Sequence, residues 1–196
     1  QGLPMAMCNL KGRVVASGWL IPNEEGIDVL VHASLAEDVR AFLKPYVTFS
    51  KCAFASGIDK RVAVNTPAAN IKLTADLTIQ ISGSAEDLDD CSEAVNTHLI
   101  ESGYAFISKP VSGQFLPQVL DLHNQSAVDF DKGCYLGQEI VARAQFRGAV
   151  KRHLVSFNDV SLPRIGDPWG DSGTVIAINR VGQGLASVKM VTEPSG

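Results

Sequence analysis

A cysteine between two glycines is the most reactive-looking stretch of this chain: Asp131-Lys132-Gly133-Cys134-Tyr135-Leu136-Gly137-Gln138-Glu139. Apolar Ile140, Val141 and Ala144 follow at helical spacing and Gly148 closes the pattern, so a helix is expected over 138–146. Cys134 then lies near the positive end of the helix dipole, with Lys132 close in sequence. Both features favour the thiolate, the form of cysteine that reacts and binds metal. A cationic run comes next, Arg143, Arg147, Lys151 and Arg152, and no acidic residue falls between Glu139 and Asp159.

Three chemistries are open to Cys134: nucleophile, metal or cluster ligand, and inert core thiol. A nucleophile needs a base, and none of His32, His98, His123 and His153 stands at a recognisable spacing to it. One cysteine cannot hold an iron–sulfur cluster alone. Arg143 and Arg147 lie one helical turn apart. They form either a solvated face or an anion site for phosphates or carboxylates. Glu101, in Ile100-Glu101-Ser102-Gly103, falls at the end of an expected helix, where the dipole disfavours a carboxylate. It is either a plain surface residue or a carboxylate that pairs with the N–H edge of a heterocycle.

These side chains must be positioned by a chain of 196 residues, long enough for a sizeable core. Hydrophobic residues make up 45% and charged residues 19%, the balance of a globular protein. The net charge of −4 excludes a general polyanion binder and leaves nucleic acid only a local patch. No apolar run approaches the roughly 18 residues of a membrane span. The chain opens on Gln1 rather than Met, and a preceding segment is expected. Cys8, Cys52, Cys91 and Cys134 are scattered, with no C-x-x-C pair and no zinc spacing. They read as reduced thiols of a cytoplasmic protein, with Cys52 and Cys91 in the core.

The pattern predicts a hairpin from Arg13–Ile21 and Ile27–His32 across the turn Pro22–Gly26. A helix follows, capped by Ser34 with Glu37 and ending near Pro45, and then a strand over Val47–Ala55. Arg61–Val64 and Asp76–Ser82 are strand candidates. Ser84 with Asp87 caps a helix that runs to Ser102, with Leu88, Cys91, Val95 and Leu99 inward and Gly103 as its stop. Tyr104–Lys132, broken by Pro110, Gly113 and Pro117, reads as a long functional loop. Short strands at His153–Phe157, Gly173–Ile178 and Leu185–Val191 suggest a small barrel or sandwich. The fold class is α+β.

The run Lys132-Gly133-Cys134-Tyr135-Leu136-Gly137-Gln138-Glu139, with Val141-Ala142-Arg143 and Phe146-Arg147-Gly148, resembles the signature of the YgfZ folate-binding proteins, relatives of the glycine-cleavage T-protein. Every fixed position of K-G-C-Y-x-G-Q-E is matched. Cys8–Arg13, Tyr46–Lys51, Ile100–Gly103 and Gln114–Gln118 are similar to further family segments. The resemblance implies a GcvT-like three-module ring around a folate-sized hole. Its modules are a folate-binding α+β module from 1–60 and 104–149, a second α+β module over 61–103, and a C-terminal β-barrel over 150–196. It also implies a chain shortened at its start, near residue 70 and near its end. The implied role is support of iron–sulfur enzymes and of the tRNA modification that depends on them, with tRNA itself an indirect partner and no membrane. The implied ligand is tetrahydrofolate or a related folate. Glu101 would hold the pterin, Tyr135, Gln138, Arg143 and Arg147 would line the site, and Cys134 would be a redox or cluster contact. T-proteins carry an acidic pair where this chain has Gly12-Arg13-Val14-Val15-Ala16, and Asn9 stands where an Asp is common. The missing carboxylates weigh against the alternative, a tetrahydrofolate-dependent aminomethyltransferase or demethylase.

Overall fold

The computed structural model describes residues 1–55, 61–64, 69–82, 91–148 and 150–190. It is α+β, with three antiparallel sheets and three α-helices among those residues. The first sheet is a meander of β1 (Leu3–Cys8), β2 (Val14–Pro22) and β3 (Ile27–Val31). The expected hairpin is present as β2–β3, with Gly18 opposite Val31 and Pro22 opposite Ile27. Strand β1 escaped the sequence reading. It pairs with β2, and its register shifts between Met7 and Cys8, just before the turn.

Helix α1 (Ala36–Phe49) follows a 3-10 turn at Ala33–Leu35 and departs from expectation at both ends. The 3-10 turn is capped by His32, whose Nδ1 accepts from the Ser34 backbone N–H at 3.2 Å, and α1 itself, with Leu35 as its N-cap, has no side-chain cap. The Ser34 hydroxyl is not used in a capping box, because it accepts from the Lys109 N–H at 3.1 Å. The helix also runs past Pro45, so no strand forms at Val47–Ala55. The proline ring removes one helical hydrogen bond. The last turn keeps its backbone bond, Ser50 N–H donating to the Tyr46 carbonyl at 3.1 Å, and Thr48 Oγ1 and Ser50 Oγ also bond back, to the carbonyls of Lys44 at 2.8 Å and Tyr46 at 3.0 Å. Cys52, expected in the core, is exposed, since it follows this helix rather than lying on a strand.

The second sheet has the order β4 (Arg61–Val64), β6 (Thr78–Ser82), β5 (Ile71–Lys72). Helix α2 (Ser92–Glu101) ends at Gly103, which takes φ 70°. The expected cap at Ser84 and Asp87, and Leu88, lie outside the described residues. Helix α3 (Gln138–Phe146) has the predicted bounds. Only Val141 of its three apolar positions is fully buried, and Ile140 is exposed. The C-terminal sheet has the order β7 (Arg152–Asn158), β10 (Gln183–Lys189), β9 (Gly173–Ile178), β8 (Pro168–Trp169). Among the described residues it is open, with β7 and β8 at its edges, and no closed barrel forms. Helix α2 is tied to it. Asn96 donates to the Ile178 carbonyl at 3.0 Å and Asn179 to Thr97 Oγ1 at 3.1 Å.

The largest surprise is residues 104–127, read as a loop. They are core. Ala105, Ile107, Val111, Leu120 and Leu122 are fully buried, although the only regular turn is a 3-10 turn at Lys109–Val111. An irregular chain can be buried only if its polar backbone finds partners. Here β1 and β2 supply them. Val14 N–H donates to Phe115 at 2.8 Å, Ala6 N–H to Ala127 at 3.1 Å, and Gly113 N–H to Val14 at 2.8 Å. The buried Ser17 hydroxyl donates to the Ala105 carbonyl at 2.7 Å and accepts from the Ile107 N–H at 2.8 Å. Each fully buried aliphatic side chain here is worth about 1.5–3 kcal/mol. The segment is therefore part of the core as well as the path of the chain to Cys134.

Candidate functional site

The cysteine motif is docked on the β1–β2 turn. That turn is built by Asn9, whose Oδ1 accepts from the N–H groups of Lys11 at 2.9 Å and Arg13 at 3.1 Å. An Asp could supply the same acceptor, so Asn9 keeps the turn intact. Gly137 stands at φ 79° as the N-cap of α3, and Gly12 at φ 68° in the turn. A side chain on either would meet the other element. A Cβ on Gly137 would lie 2.8 Å from Gly12 Cα, and one on Gly12 would lie 3.0 Å from Ile140 Cβ. The entry to the motif is set by Asp129, whose carboxylate accepts from the N–H groups of Asp131 at 2.9 Å and Lys132 at 3.2 Å. Tyr135 and Gln138 then clasp each other: Tyr135 N–H donates to Gln138 Oε1, and Gln138 N–H to the Tyr135 carbonyl, both at 3.2 Å. The buried Gln118 side chain anchors the helix by donating to the Val141 carbonyl at 2.9 Å.

Lys132, Tyr135 and Cys8 form one small cluster. The Lys132 ammonium lies 4.9 Å from the centre of the Tyr135 ring. The Tyr135 hydroxyl is buried without a hydrogen-bond partner, and burial raises the phenol, with Cys8 and Asp129 adding to the rise. Burial pushes the Cys8 thiol from 9.0 to about 11, against the opposing pull of Lys132. The fold therefore holds Cys8 protonated, and that contribution to stability is lost as pH rises above the ordinary thiol value. Cys134, by contrast, is exposed, as is Cys52, and all four cysteines are free. Alkylation of the native protein at pH 8, read by mass spectrometry, is expected to modify Cys134 and Cys52 within minutes. Two pK units leave Cys8 with a thiolate fraction about 100-fold lower than that of an ordinary cysteine, before its burial is counted. Rapid labelling of Cys8 in the native state would contradict this placement.

Beside the motif opens a basic cleft of about 860 Å³. Five cations line it: Lys11 and Arg13 from the turn, Arg143 from α3, and Lys151 and Arg152 from the lead into β7. Among the described residues no carboxylate lines it. The Arg13 guanidinium is fixed by the Gln114 carbonyl and that of Arg152 by the Ser172 carbonyl and the Ser187 hydroxyl. A second cavity, of about 330 Å³, lies where the three sheets converge. Trp19, Leu30, Ile79 and Phe106 give it apolar walls, and His32, Ser92, Asn96 and Ser108 are among its polar points. Burial lowers the His32 imidazole. Ser108 Oγ is buried and has no hydrogen-bond partner. No carboxylate lines this cavity among the described residues.

Among the described residues no group of three or more His, Cys, Asp or Glu could hold a metal ion, and no helix is long and apolar enough to cross a membrane. No protein-family model matches the chain. It is similar to the tRNA-modifying protein YgfZ of Serratia proteamaculans, 30% identical over 94% of this chain and 71% of that protein. The proteins of the same name from Shigella dysenteriae serotype 1 and Escherichia coli O157:H7 are each 29% identical over 97% of this chain and 74% of theirs. The chain belongs to the YgfZ family.

The sequence-derived residues of this YgfZ-family chain fall in separate places. Tyr135 and Gln138 meet at the start of α3, Arg143 lines the basic cleft, and Arg147 is the exposed C-cap of the same helix. Cys134 is exposed just ahead of that helix start. Glu101 is exposed at the end of α2 and lines neither cavity. The face that α2 turns to the central cavity carries Ser92, Val95, Asn96 and Leu99, and Glu101 lies two residues beyond, off that face. Sequence reading missed the cations of the β1–β2 turn and the whole central cavity. The doublet Lys11–Arg13 was visible, but nothing local joins it to α3.

Proposed function

We propose that this chain is a folate-binding accessory protein with a role in tRNA modification, acting in support of iron–sulfur enzymes. The observation that carries the folate reading is the orphaned Ser108 hydroxyl in an aromatic-walled cavity. A buried hydroxyl without a partner costs about 1–3 kcal/mol, which a ligand with a heterocyclic hydrogen-bonding edge would recover. The cavity volume is in the range of about 300–1,000 Å³ usual for small-molecule sites, with the few convergent polar groups such sites have. A folate fits this donor set: Trp19 and Phe106 together would give the ring system one aromatic wall, and Ser108, Asn96 and His32 would meet its polar edge. Bound folate supplies a carrier for one-carbon units. Group transfer would need proton handling at the folate nitrogen, and Gly12-Arg13-Val14-Val15-Ala16 stands where T-proteins carry their acidic pair, which favours binding over transfer. We read the three sheets as the modules of a GcvT-like ring, a reading supported by their convergence on this cavity. The name shared by the relatives supports the tRNA-modification role. The exposed Cys134 would be the thiol that contacts a client or its cluster.

Calorimetry with tetrahydrofolate tests the reading. The wild type is expected to bind. Ser108→Val should weaken binding roughly fivefold, the worth of one hydrogen bond of about 1 kcal/mol. No binding by the wild type would overturn the folate assignment. A loss in Glu101→Gln with none in Ser108→Val would move the pterin to the end of α2. Cys134→Ala should leave folate affinity unchanged yet fail to restore iron–sulfur-dependent tRNA modification in a deletion strain. Full restoration would remove the thiol from the mechanism.

A further inference from the structure

The basic cleft does not end at the turn. Lys11, Arg13 and Gly113 line it on one side and, on the other, line a second groove of about 760 Å³ with Leu10, Phe42 and Tyr46. The two grooves differ in chemistry. The first sets its five cations around a largely apolar floor of Phe115, Leu116, Val119 and Ile140. The second carries two aromatic rings of α1, Phe42 and Tyr46, at 6.2 Å between centroids, and Tyr46 is 53% exposed. Leu10, on the turn between them, is 76% exposed. In a protein of net charge −4, five cations with no carboxylate among the described lining residues form a strong local reversal of sign. Among the described residues Lys11, Arg143 and Lys151 have no ion-pair partner. Arg13 and Arg152 are held in place by backbone oxygens. The cleft therefore combines two cations of fixed position with three free to follow a ligand.

We infer that the cleft and the groove form one docking surface for a looped, single-stranded segment of RNA, the phosphates crossing the Lys11–Arg13 ridge and an unstacked base lying on Tyr46 and Phe42. A small anion needs only the cations, and the aromatic groove would be idle. A duplex offers phosphates but no free base face, and the deep major groove of A-form RNA is closed to side chains. A loop supplies both, and single-stranded binders pair a basic track with stacking rings in this way. The inference rests on the tRNA-modification reading only for the choice of RNA, and it does not involve the central cavity.

The test uses the full chain and a fluorescein-labelled, unmodified tRNA transcript, with affinity read by anisotropy at several salt concentrations. The wild type should bind with a steep salt dependence. Lys11→Glu with Lys151→Glu should weaken binding at least tenfold and flatten the salt slope by about one for each phosphate that is no longer neutralised. Tyr46→Ala should weaken it about 5- to 100-fold with the slope unchanged, as a stacking loss does. All variants should keep the wild-type melting temperature and tetrahydrofolate affinity. Absence of tRNA binding by the wild type, full affinity in Tyr46→Ala, or equal competition by hexaglutamate would each overturn the inference. A parallel fall in folate affinity would overturn it too, by giving the cleft to the folate. Binding of tRNA without any binding of tetrahydrofolate would leave the inference standing and remove the folate reading alone.

Discussion

Gly137→Ala is expected to cost at least about 3 kcal/mol, a large part of the roughly 5–15 kcal/mol that holds a typical domain folded. Two terms add. The residue sits at φ 79°, and a left-handed backbone costs a residue with a Cβ about 1–2 kcal/mol. The new methyl would also fall 2.8 Å from the Gly12 backbone, where no flexible side chain can give way. Forcing an extra carbon into a packed contact costs a further 1–3 kcal/mol or so. Gly133→Ala is the internal control. It lies in the same motif, but a Cβ there meets nothing within 4 Å. It should stay within about 0.5 kcal/mol of the wild type. Urea midpoints of the two variants decide the matter. If Gly137→Ala is as stable as Gly133→Ala, the motif is not clamped to the turn as described. The comparison separates two uses of glycine in K-G-C-Y-x-G-Q-E. The second glycine is a packing element, while the first has open space around it, next to the exposed thiol.

The parts of this fold that the sequence revealed are those whose signal is local. Helix α3 has its apolar period and its glycine stop within eleven residues, and its bounds were read correctly. The β2–β3 hairpin declares itself through Pro22–Gly26. The failures are places where distant partners decide. Val47–Phe49 has strand-like residues, yet the segment continues α1 and closes on the backbone bond from Ser50 N–H to the Tyr46 carbonyl. Residues 104–127 carry loop punctuation, and only pairing with β1 and β2 makes them core. The candidate site divides in the same way. The cationic run after Cys134 was plain, but the turn cations that complete the cleft lie more than a hundred residues earlier. The central cavity draws on all three sheets, so no single stretch could announce it.

Trp19 joins fold and cavity, and Trp19→Ala is expected to cost about 3–5 kcal/mol, the usual range for emptying a buried aromatic site. The side chain is almost fully buried on the central strand of the first sheet. Its ring stacks on Tyr104 with centroids 4.5 Å apart, and the Tyr104 hydroxyl in turn donates to the Gly18 carbonyl at 3.0 Å. Its Nε1–H donates to the Leu73 carbonyl at 3.2 Å, which ties the first sheet to the turn between β5 and β6. Truncation would leave that carbonyl unpaired and open the central cavity into the core. Trp19→Phe separates the two roles. It keeps a stacked ring and loses the hydrogen bond and part of the ring volume, about 1–3 kcal/mol in all. Thermal melts should therefore rank the wild type above Trp19→Phe, and Trp19→Phe well above Trp19→Ala. If the alanine variant melts with the phenylalanine variant, the ring contributes little beyond its N–H, and the stacked pair is not what holds the segment after α2 against β2. Where the phenylalanine variant stays folded, its tetrahydrofolate affinity reports on the cavity wall with the fold held constant. A retained ring should keep binding within a few-fold of the wild type, because stacking depends on the aromatic face rather than on the indole N–H.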